Sequence, residues 1–174
     1  MKSKLYAAAL AFSVTFASNA AFAAFAATDA DDFVEDASAK GVAEVEAGKL
    51  AEEKGSAADV KAFGAMMVKD HTAANEKLTT IADAKKIEVS TDAELMDKAK
   101  AMILDLRSAK SFDQAYANNQ VKAHEATIEI FEDEIKNGDD PQLKEFATTT
   151  LPKLKAHLEQ AKALAKNHGG DAAQ

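Results

Sequence analysis

Residues 87–110, IEVSTDAELMDKAKAMILDLRSAK, decide how this chain folds. Ile87 to Thr91 interrupts a long helical period on the N-terminal side. Leu95, Ala99, Met102, Ile103 and Leu106 then restore i, i+3, i+4 spacing, so the segment carries a short helix of its own over about 92–107. A stretch of this length can reach ~50 Å, more than the length of a helical bundle. The other connections are tight. Gly55-Ser56 separates a helix over about 31–54 from one over about 58–86, with Ser56 placed to N-cap the second. Ser111 is placed to cap a helix running to about 136, which Asn137-Gly138 closes. Asp139-Asp140-Pro141 opens a last helix to about 167, with Pro141 at its first position.

Four helices of ~25–28 residues, each ~40 Å long with one apolar stripe, call for an all-α antiparallel bundle. Hairpin, long crossover, hairpin is the ferritin-like connectivity; a plain up-down bundle with a decorated loop is the alternative. Composition agrees with either. The 174 residues hold 40 alanines against 2 prolines and 7 glycines, which favours helix and disfavours an all-β domain. Pro152 falls inside the last helix and should kink it near Thr148. The absence of cysteine excludes disulfides, thiolate metal sites, Fe–S clusters and a cysteine nucleophile. A net charge of −8 disfavours nucleic acid and anionic membrane surfaces as partners.

The first 26 residues differ from the rest. Lys2 and Lys4 precede an apolar run from Leu5 to Ala17, a polar break at Ser18-Asn19, and two A-x-A sites ending at Ala23 and Ala26. This is a secretory signal layout, with cleavage expected after Ala23 or Ala26. An uncleaved anchor is the competing reading, weakened by Ser13, Thr15, Ser18 and Asn19. The expected product is a periplasmic or secreted domain over 27–174, frayed from about 168, with no stable membrane insertion after cleavage.

Placing residues at 100° per position puts polar groups on the apolar stripes. Glu44 shares its arc with Phe33, Ala37, Gly41, Gly48 and Ala51; His71 sits among Val60, Phe63, Met67, Leu78 and Ile81, with Asp70 on the flank. Tyr116, Gln120, His124, Thr127 and Phe131 share one face of the third long helix, and His157 lies among Phe146, Leu154 and Ala161 on the fourth. Each long helix thus sends one potential metal ligand inward: Glu44, His71, His124 and His157. With the crossover connectivity their heights above the Gly55 end are ~17, ~22, ~20 and ~14 Å, and side chains lean toward their helix N-termini, which narrows the spread. Two readings fit this layer. One is a structural set of buried hydrogen bonds that fixes register. The other is a site for one Zn, Cu, Ni or Fe ion held by imidazole and carboxylate, with Asp70 and Gln120 as outer orienters. A di-iron centre is disfavoured, because the residues three before the histidines are Val68, Val121 and Leu154 where that chemistry needs glutamates. His124-Glu125 fails to extend into H-E-x-x-H, since position 128 is Ile. His168 is expected in solvent.

The spaced residues Phe33, Gly41-x-x-Glu44-x-x-x-Gly48, Met67-x-x-Asp70-His71-x-x-x-Asn75, Phe112-Asp113-x-x-Tyr116-x-x-x-Gln120-x-x-x-His124 and Leu151-Pro152-x-Leu154-x-x-His157 carry a resemblance. From about Phe33 to Leu164 the chain resembles the exported bacterial family labelled domain of unknown function 4142. That resemblance implies a ferritin-like bundle and export, and it supplies no activity. The leading expectation is a non-catalytic metal-binding protein. Next stands an envelope stress or scaffold protein acting through a protein partner or a homo-oligomer; a small metalloenzyme ranks third, since no general acid or base besides Asp70 is in view.

Overall fold

The computed structural model describes residues 29–90 and 109–170. They form four helices: α1 (Ala30–Lys54), α2 (Ala58–Lys85), α3 (Ala109–Asn137) and α4 (Pro141–Asn167), with no strand among the described residues. The leader expected over 1–26 and the short helix expected over about 92–107 lie outside the described residues.

Local side-chain capping accounts for the starts of α1 and α4. The Asp29 carboxylate accepts from the Asp31 N–H at 3.1 Å to open α1. Asp140 does the same for α4, accepting from the N–H groups of Gln142 and Leu143 at 2.9 and 3.1 Å ahead of Pro141 in the first turn. Two expectations need correction. Ser56 does not cap α2: Ala57 holds the N-cap position, and the donors there are taken up from across the bundle by Asp113 of α3. Its carboxylate accepts from the Ser56 and Ala57 N–H groups at 2.9 and 3.0 Å and from the Ser56 hydroxyl. An ionised carboxylate is a stronger acceptor than a hydroxyl, and a buried one requires such donors. The second correction concerns α3, which starts at Ala109, so that Ser111 lies inside the helix. α4 runs unbroken through Pro152.

The packing fixes the connectivity. α1 lies closely on α2 and α3 on α4, and the two hairpins meet along α1 with α3 and α2 with α4. Phe33 near the start of α1 contacts Phe131 near the end of α3 and Phe146 near the start of α4, with ring centroids 5.3 and 6.4 Å apart. Leu78 and Ala82 near the end of α2 join the same cluster, and Lys85 pairs with Asp140. α2 and α3 therefore run parallel on a diagonal, with the end of one and the start of the other at opposite ends of the bundle. Residues 91–108 connect them, the hairpin, crossover, hairpin order expected from the stretch at 87–110.

Two apolar clusters fill the interior. Ala47, Ala51, Val60, Phe63, Met67, Phe112, Tyr116, Val121 and Leu164 occupy the end nearest the α1–α2 turn. Phe33, Val34, Leu78, Phe131, Leu143, Phe146 and Leu154 occupy the other. Small side chains set the helix spacing in the first. A Cβ on Gly48 would lie 2.6 Å from the Gly64 carbonyl oxygen and one on Gly64 2.7 Å from that of Gly48, so α1 and α2 touch backbone to backbone there. The C-terminal turn is tied down as well. His168, expected in solvent, lies 3.0 Å from the Asp59 carboxylate, and Gln114 donates to the Gly169 carbonyl.

Candidate metal centre

Between the two apolar clusters lies a polar layer. Glu44, His71, Gln120, His124 and His157 are 5%, 6%, 0%, 1% and 3% exposed, so the stripe placement of all five on the inner faces holds. The three imidazoles form a nearly equilateral triangle, with centroids 5.6 Å apart for His71–His124, 5.6 Å for His71–His157 and 5.5 Å for His124–His157. One ligand atom from each lies within 4.8 Å of those of the other two. Glu44 stands outside that set.

The partners of each ring assign its protonation. His124 Nδ1 lies 2.9 Å from the Gln120 carbonyl, which can only accept, so Nδ1 carries the proton. His157 Nε2 lies 3.0 Å from the Asp70 carboxylate and donates to it. Asp70 is itself held by Lys153 at 3.1 Å. The remaining nitrogens, His124 Nε2 and His157 Nδ1, have no hydrogen-bond partner among the described residues, and neither does His71 Nε2. Burial, and after it the neighbouring His124 and His157, bring the His71 pKa down to about 3, and burial also lowers that of His157 against the opposing pull of Asp70. At neutral pH His71 and His157 are therefore neutral bases.

Glu44 lies on the α1 side of the layer. Burial raises its pKa, and the neighbouring His124, the Gln120 side chain and Lys40 offset part of that rise. Its Oε2 has no hydrogen-bond partner among the described residues; the Gln120 amide sits beside it without completing a bond of ordinary geometry. Tyr116, two turns before His124 on α3, has a buried hydroxyl likewise without a partner, and burial followed by the Glu44 charge raises its pKa well above 10. Native proteins pair the great majority of buried polar atoms. Orphaned atoms concentrated in one layer therefore call for an explanation.

Geometry permits one ion at the triangle. A point no farther than about 2.8 Å from all three ligand atoms exists, being 4.8 Å divided by √3. Zinc–imidazole bonds are about 2.0–2.1 Å, so each ring would move inward by under ~1 Å. Sequence reasoning found the three histidines and missed two other buried acids. Asp113 was visible only within the spacing Phe112-Asp113-x-x-Tyr116, and nothing local shows that it accepts from the residues leading into a different helix. Glu134, 1% exposed, continues the α3 stripe after Thr127 and Phe131, and that spacing was the signal that could have placed it inside.

Residues 15–164 match the model of a family described as Domain of unknown function (DUF4142). The chain belongs to that family. The span matched to DUF4142 includes Glu44 and all three clustered histidines, and the family description carries no activity. No curated protein and no solved structure matches the chain.

Proposed function

We propose that this DUF4142 protein is an exported, non-catalytic binder of one divalent transition metal, held by His71, His124 and His157. The observation that carries the reading is the convergence of three imidazoles whose unpartnered nitrogens are buried in the core. A purely structural layer would satisfy those atoms with hydrogen bonds. Neutral imidazoles suit Zn²⁺, Cu²⁺, Ni²⁺ or Fe²⁺. Glu44 supplies a nearby negative charge, and a bound cation offsets the cost of burying it. Asp70 and the Gln120 carbonyl orient two of the rings from outside, as carboxylates and carbonyls commonly do for metal-bound histidines.

The connectivity supports a ferritin-like arrangement, and Val68, Val121 and Leu154 three residues before the histidines speak against di-iron chemistry within it. Export rests on the leader over 1–26; among the described residues no helix is long and apolar enough to cross a membrane.

The test is elemental analysis of the mature chain after chelation and refilling, with thermal unfolding alongside. One equivalent of metal, and a melting temperature that rises with metal concentration, are expected, since a ligand at 100 times its Kd adds about 2.7 kcal/mol. Absence of stoichiometric metal together with an unchanged melting temperature would sink the reading.

A further inference from the structure

We propose that the metal at the histidine triangle keeps one coordination position open toward a small cavity, and that this position takes water or a linear ligand of two or three heavy atoms. The inference rests on the metal-binding reading and adds to it the ligand class. Three imidazoles leave a tetrahedral ion one position short, and a protein that fills the fourth closes the site. Among the described residues Glu44 is a nearby carboxylate with an unpartnered oxygen, Oε2, and it is not among the convergent ligand atoms. Glu44 instead faces a depression between α1 and α3 that it shares with Lys40, Asn119 and Ala123.

The cavity lies against a different part of the triangle. His71 and His157 both line it, and Glu44 and His124 do not. Its volume is about 30 Å³. A single water needs roughly 10–15 Å³, so the space holds about two waters or one short linear molecule. Leu78, Phe131, Phe146 and Leu154 supply apolar wall, which offers no hydrogen bonds to a bulky oxyanion. Asn75, Thr127 and Thr150 add polar groups to the lining, and Asp70 there is paired with the exposed Lys153. Small size, apolar wall and two imidazoles with unpartnered nitrogens together select a compact ligand that bonds mainly to the metal.

The experiment uses the mature chain loaded with Co²⁺, whose visible spectrum reports coordination, titrated with azide. Ala74 lines the cavity, is only partly buried and ligates nothing in this reading. In the wild type azide should shift the visible bands saturably. Ala74→Leu should keep one equivalent of Co²⁺ while weakening azide at least tenfold, with Ala74→Val in between and available should the leucine variant fail to fold. An azide response equal in wild type and variants, or no response in Co²⁺-loaded wild type, overturns the open position while leaving the metal site standing. Failure to take up Co²⁺ at all overturns the metal reading and this inference with it.

Discussion

Asp113, beside the α1–α2 turn, is 2% exposed and accepts from two N–H groups and a hydroxyl. Glu134, beside the α3–α4 turn, is 1% exposed, and neither of its carboxylate oxygens has a hydrogen-bond partner among the described residues. The two ends of the bundle thus treat the same functional group in opposite ways. Burial alone does not set the energy of a carboxylate; the donors aimed at it do. At the Asp113 end the carboxylate joins two hairpins, because α3 supplies the acceptor for the two residues that lead into α2. At the Glu134 end the pKa rises to about 7, mainly through burial, with Lys144 opposing and Asp140, Asp133 and Asp139 adding to the rise. The histidine layer between them shares both characters: its outer nitrogens are satisfied by Asp70 and the Gln120 carbonyl, and its inner ones are not.

The largest effect is expected where the satisfied carboxylate is removed. Asp113→Ala strands the donors of Ser56 and Ala57 and should cost about 3 kcal/mol of unfolding free energy in urea. Asp113→Asn keeps one acceptor and should cost about half as much. Equal losses in the two variants would show that charge, and not acceptor geometry, ties the hairpins. Gly48→Ala probes the same end and should cost about 2 kcal/mol, since its Cβ meets a backbone carbonyl that no rotamer change can move. A neutral outcome would mean that α1 and α2 separate easily there.

The middle layer is expected to respond with two signs. His71→Leu should abolish metal uptake and yet raise the stability of the metal-free protein by about 1 kcal/mol, because an apolar side chain replaces an unsatisfied polar one. A variant destabilised without metal would favour the structural reading. The pH dependence follows from His71. Its folded pKa of about 3 lies below the ordinary 6.5, so between those values the unfolded chain binds a proton that the folded one refuses. Stability of the metal-free protein should fall as pH drops below 6.5, with His157 contributing in the same direction. His71→Leu should flatten that slope.

Much of this was legible in the chain because it depends on period. Glu44, His71, Gln120, His124 and His157 fall on helical stripes, and long regular helices keep phase well enough for one-dimensional spacing to predict burial. The connectivity was legible because residues 87–110 are too long for a tight turn. What period does not encode is pairing between helices. Asp113 meets Ser56 across 57 positions, and a local rule assigns the α2 cap to the serine. Glu44 also marks the limit. Its height and inward face are set by the helix, whereas its place outside the imidazole triangle depends on how α1 is spaced from α2 and α3, and Gly48 and Gly64 set the α1–α2 approach.

The smallest effect should come from the unsatisfied carboxylate, and its sign is opposite to that of His71. A pKa raised from 4.5 to about 7 means that, between those values, folded Glu134 holds a proton which the unfolded chain has released. Its contribution to stability is therefore present in full below pH 4.5 and is lost as pH rises through about 7. Glu134→Gln has no such titration and preserves the shape packed against Gly138. Relative to wild type it should be near neutral below pH 4.5 and more stable by about 1 kcal/mol above pH 7.5, a value discounted for the charged neighbours around the group. Urea midpoints of both proteins at pH 4, 6 and 8 measure the difference. A gap that stays constant with pH would mean that Glu134 finds donors in solution, and the contrast between the two ends of the bundle would then reduce to local capping.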